Sequence, residues 1–136
     1  MAVTKIGNFD SGYGGVTLLQ EAYKRFDNVD FYYLADGKYA PYGRLDKETI
    51  NLRCKTLVQE LVENCHIDML LVACNTATSI AIDDLRKFTS IPIVGIEPYI
   101  NIINQRDINN VGVLVTSAMA NSDRFKTLVK RLDPQG

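Results

Sequence analysis

Cys74-Asn75-Thr76 places a thiol, an amide and a hydroxyl directly after the apolar run Met69-Leu70-Leu71-Val72-Ala73. A run of that length suits a buried strand, and small polar residues suit the first turn of a helix. A thiol at such a junction meets unpaired backbone N–H groups and the positive end of a helix dipole. That environment is expected to lower its pKa and supply a thiolate. The plain alternative is that Cys74 is a small buried residue, as free cysteines commonly are.

Three further polar clusters follow apolar runs: Asp10-Ser11-Gly12, the segment Asp36 through Gly43, and Thr116. Asp10 and Ser11 either cap a helix or present a carboxylate to a thiol or a substrate ammonium. Pro41-Tyr42-Gly43 is either an ordinary turn or a carboxylate site built from backbone N–H groups and the Tyr42 hydroxyl. Gly12-Tyr13-Gly14-Gly15 can cradle an anion. It is not the dinucleotide fingerprint, because the third glycine would fall at Thr17, and the chain has no Walker-type Gly-Lys-Ser/Thr.

The elements that must position these groups alternate. Val3 to Phe9, Asp30 to Ala35, Ile67 to Ala73, the short Ser90 to Gly95 segment and Val111 to Val115 read as strands. Val16 to Phe26, Asp46 to Asn64 and Thr76 to Phe88 read as helices, and a last helix ends near Leu132. In the first helix Val16, Leu19, Ala22, Tyr23 and Phe26 share a face. In the second, Ile50, Cys54, Leu57, Val58, Leu61 and Val62 form the apolar stripe, which makes Cys54 a core residue. A further short helix is expected from Glu97-Pro98, with Ile100, Ile102 and Ile103 apolar, and Gln105 to Asn110 is the best linker. The alternation predicts an α/β fold with a mainly parallel sheet between helices. Ligands bind such sheets outside the C-terminal ends of the strands, where all four polar clusters fall. His66 lies at the opposite end and reads as structural or solvated.

With 136 residues, 46% hydrophobic and 23% charged, the chain fits one ordinary soluble domain. A net charge of -1 gives no reason to expect nucleic acid or a membrane as partner. No apolar run approaches a membrane span and no signal-peptide core is present, so a cytoplasmic location is expected. Cys54, Cys65 and Cys74 lack metal-type spacing, and a single histidine argues against a metal site.

Phe9-Asp10-Ser11-Gly12-x-Gly14-Gly15, Ala35-Asp36, Pro41-Tyr42-Gly43 and Ala73-Cys74-Asn75-Thr76-Ala77-Thr78 together closely resemble glutamate racemases, in the aspartate/glutamate racemase family. Leu85-Arg86 and Pro92-Ile93-Val94-Gly95-Ile96-Glu97-Pro98 fit the same pattern. The resemblance implies a parallel-sheet three-layer α/β/α domain over residues 1–104, with 105–136 opening a second, similar domain. It implies a cofactor-independent isomerase that interconverts L- and D-glutamate for bacterial peptidoglycan, with two cysteines acting in turn as base and acid from opposite faces. By position, Cys74 is one of those cysteines and Asp10 its polar assistant. Ser11, Asn75, Thr76 and Thr116 match contacts to the amino and α-carboxylate groups. Pro41, Tyr42 and Gly43 match the clasp on the side-chain carboxylate. The family's second cysteine lies in a Gly-Cys-Thr-His motif downstream of the residues matched here, so this chain is expected to be a partial racemase. Met119 and Gly37 stand where the family commonly has threonines. Val111 to Leu132, as a bare βα unit, is expected to pack on another copy or be mobile. An aspartate or hydantoin racemase shares the two-cysteine layout, and a non-catalytic module keeping half a ligand site is the alternative from a different class.

Overall fold

The computed structural model describes residues 3–100, 102, 105 and 110–132. Most of the expected linker, and Ile103 of the expected short helix, lie outside those residues. Strand β1 (Thr4–Asp10) is followed by helix α1 (Gly15–Arg25), β2 (Val29–Ala35), α2 (Lys47–Cys65), β3 (Met69–Val72), α3 (Asn75–Phe88) and β4 (Ile93–Gly95). Two C-terminal helices, α4 (Ser117–Ala120) and α5 (Asp123–Leu132), complete the described chain. The four strands form one sheet in the order β2-β1-β3-β4, and every pair is parallel. No helix among the described residues is long and apolar enough to cross a membrane.

The order follows from burial. Phe9, Leu70 and Val72 are fully buried and point to the face covered by α2 and α3. The α2 stripe supplies Ile50, Cys54, Leu57, Val58 and Leu61, all buried, as its spacing predicts. Asp46 starts that helix by accepting the Thr49 N–H at 2.7 Å. His66 ends it with a left-handed backbone (φ 53°) and an exposed side chain. From α3, Ala77, Ala81, Ile82 and Leu85 close the core.

The opposite face is only partly covered. Helix α1 lies over β1 and β2, where Gly15 comes so close that a Cβ would sit 2.8 Å from that of Ala73. Its periodic face is less buried than expected: Tyr23 is 72% exposed and Phe26 56%, with the Tyr23 ring set against Phe31 of β2, the edge strand of the sheet. Val94 on β4 remains 44% exposed. The second helical layer is therefore partial among the described residues. The strand expected over Val111–Val115 is absent: the segment pairs with no strand among the described residues, and Leu114 is fully exposed. The expected short helix begins later than Glu97-Pro98: Glu97 to Tyr99 are irregular, while Ile100 and Ile102 have 3-10 helical backbone and Ile100 is buried.

Asn8 is fully buried at the centre of β1, between Tyr33 and Leu71 in register. Its side-chain amide has no hydrogen-bond partner among the described residues. A buried amide without partners costs on the order of 1–3 kcal/mol. Replacing it by a β-branched apolar residue, Asn8→Val, is expected to stabilise the domain by about 1 kcal/mol in chemical denaturation. A loss of stability would show that the amide is satisfied in solution.

Candidate active site

Three of the polar clusters emerge at the C-terminal edge of the sheet, after β1, β2 and β3; Thr116 follows no strand among the described residues and reaches that edge through its bond to Thr76. The Asp36 N–H donates to the Asp10 carbonyl (2.9 Å) and the Ala73 N–H to the Phe9 carbonyl (2.9 Å), so the pairing carries β2 and β3 up to the site beside β1. Asp10 is 7% exposed, and its carboxylate accepts the backbone N–H groups of Ser11 (2.8 Å) and Gly15 (3.0 Å). It thus fastens the turn that leads into α1. The polar neighbour of the thiol is Ser11, whose Oγ accepts from Cys74 Sγ at 3.5 Å. Tyr33, from β2, steadies the same turn by donating to the Gly12 carbonyl at 3.0 Å.

Cys74 is the N-cap of α3, with its sulfur accepting the Ala77 N–H at 3.4 Å. The strand-to-helix junction expected from the sequence is present, but the net shift of the thiol is upward, not downward. Cys74 is only 5% exposed, and burial pushes its pKa up. The Ser11 hydroxyl and the Ala77 N–H act in the opposite direction, and the nearby Asp10 charge adds to the rise. Desolvation outweighs the helix terminus, so the thiol is the resting form at neutral pH. Alkylation of Cys74 by iodoacetamide is therefore expected to keep accelerating with pH after a free small thiol has levelled off. Rates that plateau earlier than the small thiol's would contradict this.

Thr76, also buried, shares a 3.0 Å hydrogen bond with the Thr116 hydroxyl. Thr116 caps α4 by accepting the Met119 N–H at 3.2 Å, and this places Thr116 above the first turn of α3. Asn75 is exposed at the start of α3, and Met119 is buried beneath α4. Gly37 is exposed with open space around it.

The segment after β2 forms two short 3-10 turns, Gly37–Tyr39 and Tyr42–Arg44, with Pro41 exposed before the second. Gly43 packs directly on Thr116, where a Cβ would sit 2.7 Å from Thr116 Cβ and Cγ2. The Tyr42 ring is buried, and its hydroxyl donates to Asp36 Oδ2 at 2.6 Å, so it is not turned outward as a ligand donor. The backbone N–H groups of Tyr42 and Gly43 have no acceptor among the described residues. Burial would raise the pKa of Asp36, but hydrogen bonds from Arg53 and Tyr42, with the Arg53 charge, hold it below the usual carboxylate range. Arg53 of α2 was not singled out by sequence reading, since one arginine on a helix beside a core position carries no signal.

The structure therefore brings Asp10, Ser11 and Cys74 together, and separately joins Gly43, Thr116 and Thr76. The first turn of α3 connects the two groups. Chemically, the arrangement offers a thiol for proton transfer, a fixed carboxylate beside it, and free N–H groups across the edge. Among the described residues no cluster of His, Cys, Asp and Glu suits a metal.

A family model described as Asp/Glu/Hydantoin racemase matches residues 16–134. The chain is 44% identical over 131 residues to glutamate racemase from Aliarcobacter butzleri, covering 94% of this chain and 50% of that protein. Among solved structures, glutamate racemase from Aquifex pyrophilus superposes with a TM-score of 0.84 at 33% identity, over 96% of this chain and 52% of that one. The Escherichia coli glutamate racemase in complex with L-glutamate and the activator UDP-MurNAc-ala gives 0.88 at 27% identity, over 96% and 50%. The chain spans about half the length of the curated relatives it matches.

Proposed function

The chain belongs to the Asp/Glu/hydantoin racemase family, and from that membership we propose that it forms one wall of a glutamate racemase site. In this reading Cys74 is the acid/base group for one face of the α-carbon, and Asp10 holds the turn that carries Ser11 against it. Asn75, Thr76, Thr116 and Ser11 receive the amino and α-carboxylate groups. Pro41, Tyr42 and Gly43 receive the side-chain carboxylate, through the Tyr42 and Gly43 backbone N–H groups. Completed by a second wall that carries the opposing acid/base group, such a site would supply D-glutamate for peptidoglycan, in the cytoplasm and without a cofactor. The exposed Val111 to Leu114 stretch supports association with another copy of the chain.

The observation that carries this reading is the Cys74–Ser11 contact at the sheet edge, with Asp10 in the same turn. Inversion needs proton delivery on the face opposite to removal. Neither remaining cysteine fits that role: Cys54 is fully buried in the core and Cys65 lies at the far end of α2. In deuterated water the chain is expected to exchange the α-proton of one glutamate enantiomer without accumulating the other. Racemisation at ordinary enzyme rates would overturn the one-base assignment.

A second reading is favoured by the raised pKa of Cys74: a half-site that binds glutamate and does no chemistry. Glutamate binding with no α-deuterium incorporation would establish it. Tighter binding of aspartate than glutamate would redirect the reading to an aspartate racemase.

A further inference from the structure

Arg53 makes the most specific polar arrangement outside the proposed contacts. It lies on α2, and its guanidinium donates Nε to Asp36 Oδ2 and Nη2 to Asp36 Oδ1, both at 2.9 Å. Its plane sits 4.1 Å from the centroid of the Tyr39 ring. Asp36 is 5% exposed, and its Oδ2 also accepts from the Tyr42 hydroxyl. The carboxylate thus ties α2 to the Tyr42–Arg44 turn, while the Arg53 guanidinium reaches the Gly37–Tyr39 turn through the Tyr39 ring. The planar fork is what allows two parallel bonds and the ring contact at once, which an ammonium cannot reproduce.

Resting on the proposed function, we infer that Arg53, acting through Asp36, is a positioning residue for the Tyr42–Arg44 turn, and so sets where the Tyr42 and Gly43 N–H groups meet the ligand's side-chain carboxylate. Arg53 does not serve as the ligand's counter-ion, because its charge is already paired. The turn it fixes leans on Thr116 through Gly43, whereas the first turn of α3 is held by its own bonds from Ala77 and Thr78 to Cys74. Its effect is specific to the distal carboxylate. An amino acid of the same length that lacks the charge, glutamine, gains little from it.

Two readouts on the purified chain test this. In the ligand-free protein, Arg53→Ala should speed amide exchange at Arg44 and Leu45, which bond the Pro41 and Tyr42 carbonyls. The Ala77 and Thr78 amides of α3 should keep their rates. Equal acceleration at both places would reduce Arg53 to a general stabiliser and overturn the inference. With ligand, Arg53→Ala should weaken glutamate about tenfold, the scale of one charge-assisted hydrogen bond, and leave glutamine within about twofold. Arg53→Lys should stay close to Arg53→Ala. Full rescue by lysine would mean that charge alone matters, and would overturn the inference. A wild-type chain that binds no glutamate would overturn the proposed function, and the exchange arm would then decide the clamp on its own.

Discussion

Cys74→Ser is expected to remove α-deuterium incorporation into glutamate, by about 10³-fold or more, while glutamate affinity stays within a few-fold. A positioned acid/base group contributes roughly 10²–10⁴-fold to proton transfer, and a serine hydroxyl is a far weaker acid than a thiol. The substitution is otherwise mild. Cys74 caps α3 by accepting the Ala77 N–H, and serine is among the preferred residues at that position. The helix start and the contact to Ser11 should both persist, so a fall in rate is not a fall in folding. The thiol's raised pKa adds a second signature. Exchange by the unmodified chain should climb with pH above the ordinary thiol range, because burial favours the protonated form. Deuterium incorporation that survives in Cys74→Ser would sink the assignment of this residue as the base.

Gly43→Ala is expected to destabilise the domain by about 1–3 kcal/mol and to weaken glutamate at least tenfold. The added methyl would lie 2.7 Å from two side-chain atoms of Thr116, well inside contact distance. Thr116 cannot swing aside freely, since its hydroxyl caps α4 and bonds Thr76. Either the Tyr42–Arg44 turn or the start of α4 must move, and both carry proposed ligand contacts. Urea denaturation and calorimetric titration would measure the two effects. Gly37→Ala is the matched control, since open space surrounds Gly37, and it should be nearly silent in both. Unchanged binding in Gly43→Ala would show that the turn does not touch the ligand.

The parts of this fold that depend on periodicity were readable from the chain. The α2 stripe, the Phe9 and Leu70 to Val72 strands and the edge location of the clusters at Asp10, Asp36 and Cys74 all follow from residue order. The parts that depend on what lies opposite were not. Tyr23 and Phe26 keep helical spacing, but spacing does not reveal that their end of α1 lies over the edge strand β2 and stays largely exposed. Val111–Val115 has strand composition, yet a strand needs a neighbour to pair with, and none is present among the described residues. For Cys74, the helix terminus was visible in the sequence and the depth of burial was not, so the direction of the pKa shift came out inverted. Asp36 looked like one of several loop polar groups. Its bond to Arg53 joins residues separated by 17 positions, with no local pattern linking them.

The β2-β1-β3-β4 order also has a kinetic consequence. Ser11 and Cys74 are 63 positions apart, and their strands pair only after the intervening βα segment has been laid down. Loop closure of that length delays assembly, whereas the Asp36–Tyr42 bond spans 6 positions and can form early. The turn that forms early is then locked from the core side, because the Tyr42 ring is buried in the same cluster as Phe9 and Val72. The group proposed to move the proton is thus among the last parts of the site to be assembled, and the group proposed to hold the ligand's far end among the first.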